Sequence, residues 1–377
     1  MDVGQWIRVA REALGLTQEE LGSSVGLSRY AVMDMERGER RVAADELIAL
    51  SRELERPLEY FFTGEPSFDA SVAQRNDGPV SVRVKRAQLR LQHRLHDYKL
   101  LRECLDGLPD LANLVARVKR SGSTVAKANE AARQQREMLG LGSSPIADVR
   151  LAIEERLGVP VFGAVLDQDP AFCGMLLFLA DAPLAGMLFN SCFQVSRCNF
   201  TIAHEWGHLV WQLSLQSLRG DLFFTGEESN SEEMFCNAYA AQLLAPDAGI
   251  ANWLAEHQIA PSDLSPETVQ WLASDFGVSF KAMTYRLQNA GHLDDQLAEA
   301  WRTEVRVSRL RYYTSEFSAM PDMSPTFKHH VLCAYQEGQL TAAKCGEMLD
   351  MTGVQFMELV DAAGTDVFEE ATAAETR

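Results

Sequence analysis

Residues 201–210 read Thr201-Ile202-Ala203-His204-Glu205-Trp206-Gly207-His208-Leu209-Val210. The stretch holds His-Glu-x-x-His inside an apolar run of helical character. On a helix, side chains four apart lie one above the other on the same face. His204 and His208 would therefore offer two imidazole nitrogens to one zinc ion, while Glu205 projects beside them as a proton acceptor for water. Ile202, Ala203, Leu209, Val210 and Leu213 give that helix a face to bury.

Zinc needs a third protein ligand and an open position. The next acid-rich segment runs from Asn230 to Pro246 and contains Glu232-Glu233. Ser231 is a candidate N-cap and Pro246 a stop. Ala238, Ala240 and Ala241 would let this second helix cross the first closely. Spacing alone leaves both Glu232 and Glu233 as third ligand, although Glu233 has Asn237 one turn on as a supporting partner.

The stretch from about Ala132 to Pro246 resembles the ImmA/IrrE metallopeptidases. The resemblance is carried by Leu139-Gly140-Leu141, Leu157-Gly158-Val159-Pro160-Val161-Phe162, Asn190, the His204–His208 motif and Glu233-x-x-Cys236-Asn237-Ala238-Tyr239. Trp206 stands where a smaller aliphatic residue is usual, and Ala245 where Met is commoner. The resemblance implies a zinc endopeptidase with one Zn2+ per chain. His204, His208 and Glu233 would be its ligands and Glu205 its general base. Such enzymes typically cut a helix-turn-helix repressor, in stress, prophage or mobile-element responses.

Upstream, residues 5–62 read as five short helices. Thr17 with Glu20 forms a capping-box pattern, and Ser28 caps the helix opening at Arg29, across the turn Val25-Gly26-Leu27. Leu16-Thr17-Gln18-Glu19-Glu20-Leu21, Val25-Gly26-Leu27-Ser28-Arg29 and Glu36-Arg37-Gly38 resemble the Xre/lambda-repressor-like family. That resemblance places the Arg29 helix in the major groove of operator DNA. Arg29 and Tyr30 would reach base edges, and Ser28 is counted among the contacts as the residue that caps this helix. Gln18, Arg37, Arg40 and Arg41 would hold phosphates. Asp34 faces the same way and would either accept from a cytosine or repel the backbone.

The charge is uneven. The chain carries −18 overall. Residues 1–65 hold 8 basic and 13 acidic side chains, residues 79–140 hold 13 and 6, and residues 141–377 hold 13 and 32. That excludes bulk nucleic-acid binding, so any DNA contact is local. Seven scattered cysteines without Cys-x-x-Cys pairing fit reduced thiols in a cytoplasm. No apolar run reaches the ~20 residues that span a bilayer.

The expected architecture is mainly α and multidomain. A five-helix lambda-repressor-like domain occupies 1–65, followed by a linker and basic helical segment over 66–123. An α+β zincin-like metallopeptidase domain with a small sheet covers 124–260. A helical C-terminal region with a disordered tail after Gly364 covers 261–377. The basic helix from Arg83 has three readings: a dimerising helix, a DNA-backbone contact, or a solvated face. Strands are expected over 160–166, 174–179 and 186–190, and their sheet would offer an edge to an extended peptide. Cys192 and Cys198 read as packing residues and His329-His330 as surface. The functional expectation is a homodimeric, DNA-binding regulator carrying a peptidase that acts on a repressor or toxin partner. The alternative is a Xre-type repressor or antitoxin whose peptidase fold senses or grips without turnover.

Overall fold

The computed structural model describes residues 2–64, 70–73, 81–109, 111, 122–179, 184–219, 230–310 and 320–362. The acidic tail after Gly364 and most of the expected linker lie outside these residues.

Five helices open the chain: α1 (Val3–Leu14), α2 (Gln18–Ser24), α3 (Arg29–Glu36), α4 (Ala44–Glu53) and α5 (Tyr60–Thr63). The local chemistry sets their ends. Thr17 and Glu20 close a capping box on α2, and the Ser28 hydroxyl accepts from Ala31 N–H at 3.1 Å to start α3. Ile7, Leu14, Leu21, Val32, Leu50 and Phe61 fill a core of their own.

The rest of the molecule is built on one sheet, ordered β1-β3-β4-β2. Its strands are β1 (Ala70–Ala73), β2 (Val161–Ala164), β3 (Gly174–Leu179) and β4 (Ala185–Asn190). β3 and β4 form an antiparallel hairpin, β2 runs parallel to β4, and β1 runs antiparallel to β3. Every residue of β3 and β4 is buried because both faces are covered. Leu176, Phe178, Met187 and Phe189 face one core, whereas Met175, Leu177, Leu179 and Leu188 face another.

The first core is shared with α7 (Thr124–Met138), α8 (Val149–Leu157), α9 (Val195–Arg219) and α10 (Asn230–Leu244). Helices α11 (Asp247–Glu256), α12 (Pro266–Asp275), α13 (Phe280–Asn289) and α14 (Asp295–Glu304) extend it. Arg286 on α13 ties this extension down, donating to Ala245 O at 2.9 Å and to Asp247 at 2.6 Å.

The second core is closed by α6 (Val82–Cys104), α15 (Pro325–Gln336), α16 (Ala342–Met348) and a helical stretch over 353–362. The structure gives this helix a packing role that none of the three readings named. Val84, Ala87, Leu91, Leu95, Tyr98 and Leu101 recur every three or four residues and are buried against the sheet. The basic side turns to the first domain, where Arg86 pairs with Glu53 and Arg90 Nε meets Glu55 at 2.8 Å.

The sheet edges also differ from expectation. The segment read as linker supplies β1, which pairs with β3 over Leu176–Leu179. On the far side, Gly163 N–H donates to Asp322 O at 2.7 Å. The edge of β3 is thus taken by β1, and β2 spends the Gly163 N–H on Asp322. His330 is a second departure. It is half-buried against Tyr98, their ring centroids 6.0 Å apart, and burial lowers its pKa to about 4.

Candidate metal centre and DNA-reading face

His204, Glu205 and His208 fall in the middle of α9, and all three are buried, with His204 and His208 each 1% exposed. The two helices α9 and α10 cross where a glycine permits it. A Cβ on Gly207 would stand 3.0 Å from the Cα of Cys236, so Gly207 allows backbone contact there. The start of β3 lies equally close above. A Cβ on Gly174 would meet Thr201 Cγ2 at 2.5 Å and Glu205 Oε1 at 3.5 Å.

Three acceptor atoms converge at this crossing. His204 Nε2 and His208 Nε2 are 3.1 Å apart, and Glu233 Oε1 lies 3.6 Å from the first and 3.3 Å from the second. Tetrahedral zinc with bond lengths of about 2.0–2.1 Å sets its ligand atoms about 3.3 Å apart. The triangle has that size.

The tautomer fits as well. His208 Nδ1 bonds Glu232 Oε1 at 3.0 Å, and Gln212 Nε2 donates to the same oxygen at 2.9 Å. With its proton on Nδ1, His208 turns the Nε2 lone pair toward His204 and Glu233. Two lone pairs and a carboxylate oxygen facing one another in a buried space repel unless a cation lies among them. His208 itself shows the pull. Burial opposes its charge, yet bonds to Cys236, Glu232 and Glu233 raise its pKa well above the ordinary histidine value. The His204 Nδ1 atom is buried with no hydrogen-bond partner among the described residues.

Cys236 also comes near, its Sγ lying within 4.8 Å of ligand atoms of both histidines. Burial pushes its thiol up to about 11, which disfavours the thiolate a metal needs. Glu233 Oε1 is the nearer acidic group, 3.3 and 3.6 Å from the two Nε2 atoms, so a metal here would find two imidazoles and either a carboxylate or a thiol.

The order of Glu232 and Glu233 was beyond spacing, and so was the true supporting contact. Asn237 is exposed, and the group that braces the site is Glu232, acting on His208. Gln212, four residues after His208 on the same stripe, was the available signal. Asn190, noted in the sequence only as part of a resemblance, makes four bonds that fix the approach to α9. It accepts from Leu166 and Cys192 N–H and donates to Leu166 O and Phe172 O. Cys198 is buried against the Asn190 and Phe193 carbonyls, as a packing residue would be, whereas Cys192 is half-buried.

On α3, Arg29 is exposed and Tyr30 is 71% exposed, at the start of the helix that Ser28 caps. Arg37 and Arg41 are exposed just beyond its end. Two other residues of the expected set are engaged within the protein. Gln18 donates to Glu36 at 2.8 Å, and Arg40 pairs with Glu46 at 2.6 Å. Glu36 is buried and held by Arg11 at 2.6 and 3.1 Å, so Gln18 belongs to a three-residue network joining α1, α2 and α3.

The two halves have separate relatives. Residues 7–61 match the helix-turn-helix family, and residues 178–288 match the IrrE N-terminal-like domain family. The chain thus joins a helix-turn-helix domain to an IrrE N-terminal-like domain. It is similar to HTH-type transcriptional regulators of Sinorhizobium medicae and Rhizobium meliloti, each 39% identical over 64 residues. That match covers 17% of this chain and 46% of each relative, about half their length. A transcriptional regulator in the ATPase CF(0) region of Rhodospirillum rubrum is 38% identical over 71 residues, covering 18% of this chain and 66% of the relative.

Proposed function

We propose that the chain is a transcriptional regulator that binds operator DNA through α3 as a homodimer, and that its second domain is a zinc-dependent endopeptidase. The substrate would be a partner protein, such as a repressor or a toxin-system component, in a stress, prophage or toxin–antitoxin response. The working compartment would be the cytoplasm. No helix among the described residues is long and apolar enough to cross a membrane. The observation that carries the peptidase reading is the triangle of His204, His208 and Glu233, with Glu232 behind His208.

Zinc held by these three side chains supplies Lewis acidity, polarising a peptide carbonyl and acidifying water. The protein does the rest. Glu205, 4% exposed and beside the ligand helix turn, takes the proton of the attacking water on its carboxylate and passes it to the leaving amine. Glu232 keeps His208 in the tautomer that binds metal. The buried setting strengthens each of these charge interactions.

The reading without turnover has its own support. The edge of β3 that an extended peptide could join is taken by β1, and the Gly163 N–H of β2 is spent on Asp322. One experiment separates the readings. The purified chain and Glu205→Gln are analysed for zinc and mixed with candidate repressors, and products are identified by mass spectrometry. The expected result is about one zinc in both and cleavage only by the unmodified chain. Full zinc in a His204→Ala, His208→Ala double variant would refute the metal assignment. Tight binding of a partner with no product would favour the sensor reading.

A further inference from the structure

A cavity of about 490 Å³ lies where the helix-turn-helix domain meets the rest of the protein, bounded by the α4–α5 corner, α6 and α16. That is the size of a small-molecule site. Its lining carries five cations, Arg52, Arg56, Arg90, Arg94 and Lys344, against four acids, Glu55, Asp97, Glu347 and Asp350. Glu55 is taken by Arg90 at 2.5 Å, Asp350 by Arg94, and Asp97 and Glu347 by Lys344 at 3.1 and 3.4 Å. Three cations thus account for all four acids that line the cavity.

Arg52 and Arg56 remain. Arg56 is half-buried, its guanidinium lies over the Tyr60 ring at 5.0 Å, and no carboxylate pairs with it among the described residues. Its Nε is buried without a hydrogen-bond partner. Among the described residues Tyr60 is its one polar neighbour, and a desolvated guanidinium with a buried N–H unused is costly to keep. The opposite wall reports the same field. Burial, then the positive charges of Arg56, His96 and Lys344, pull the His93 pKa down to about 3. Burial also pushes the Asp97 carboxyl up, which weakens the negative side further.

We infer that this cavity binds a small molecule bearing a phosphate group, with Arg56 as its main ligand and His93 facing it from α6. A tetrahedral oxyanion accepts from several directions at once, which suits donors arriving from two walls, and guanidinium is the side chain best shaped to grip it. Because one wall is the DNA-reading domain and another is α16, the anion would join these two parts of the chain.

The test uses the full chain and inorganic phosphate, against chloride at matched ionic strength, with thermal unfolding and calorimetric titration as readouts. Phosphate is expected to raise the melting temperature of the unmodified chain, since a ligand of the folded state stabilises it. Arg56→Met should melt higher than the unmodified chain in chloride, because it removes an unpaired charge, and should lose the phosphate response. A double Arg37→Ala, Arg41→Ala variant, altered on the DNA-reading side, should keep that response. The inference fails if Arg56→Met melts lower in chloride and still responds to phosphate, which is the behaviour of a merely structural arginine. It fails equally if phosphate leaves the unmodified chain unchanged. Should Arg56→Met not fold, Arg56→Lys is titrated instead. At least a tenfold weaker phosphate affinity supports the site, and an unchanged affinity overturns it.

Discussion

Glu232 and Glu233 are neighbours in sequence and differ in task because a helix turns by about 100° per residue. One carboxylate faces the two Nε2 atoms, and the other reaches behind His208 to its Nδ1. Loss of such a supporting bond weakens metal binding about 10–100-fold while leaving the ligands in place. Glu232→Gln is expected to do this, measured by competition with a chromophoric chelator. An unchanged zinc affinity would reduce Glu232 to a packing role. The histidine pair and Glu205 were legible because their four-residue spacing is a property of one helix. The choice between the two glutamates was not, since it depends on how α10 rolls against α9. Arg40 and Gln18 show the same limit. Their types suit phosphate contact, but Glu46 and Glu36 reach them only in the folded domain.

Between α9 and α10 the packing distance is set by Gly207. Adding one methyl group there would press on the backbone of Cys236, which has no flexible end to give way. Overpacking of this kind costs about 1–3 kcal/mol. Gly207→Ala is expected to lower stability by that amount in urea unfolding and, by moving Glu233 away from the histidines, to lower zinc content. Loss of stability with full zinc retention would show that α10 can shift without disturbing the ligands. The helices themselves were readable from caps and apolar periodicity, down to the Thr17–Glu20 box and the Ser28 cap. Two elements were not. β1 is four residues long and owes its existence to the free edge of β3. α6 has an apolar stripe visible in sequence, but nothing local says that a sheet lies under it.

At the scale of the molecule, the sheet is a partition between two cores, one holding the candidate metal centre and one closed by α6 with the last helices. Deleting residues 320–377 would strip Phe327, Val331, Met348 and Phe356 from Val84, Leu91 and Leu95. It would also free the Gly163 N–H. That variant is expected to aggregate. A fragment of residues 1–64, which keeps nearly all of its own core, should stay soluble and shift operator DNA. In that fragment Arg29→Ala should cost ~1–3 kcal/mol of binding and relax one base position. Soluble yield and gel shift read both outcomes, and a soluble, folded chain without 320–377 would show that the second core does not need its C-terminal half.

The pairing of α6 with residues 325–356 has a consequence in time. A chain leaving the ribosome presents its DNA reader first, complete and ready to fold, because every partner in that core lies within the first 64 residues or the helix just after them. The apolar stripe of α6 emerges next; the sheet can cover part of it once β4 is made, but the cover from residues 325–356 comes only when almost the whole of translation is done. During that interval the newborn protein is a finished reader trailing an unfinished, adhesive body. A message cut short would leave it so permanently.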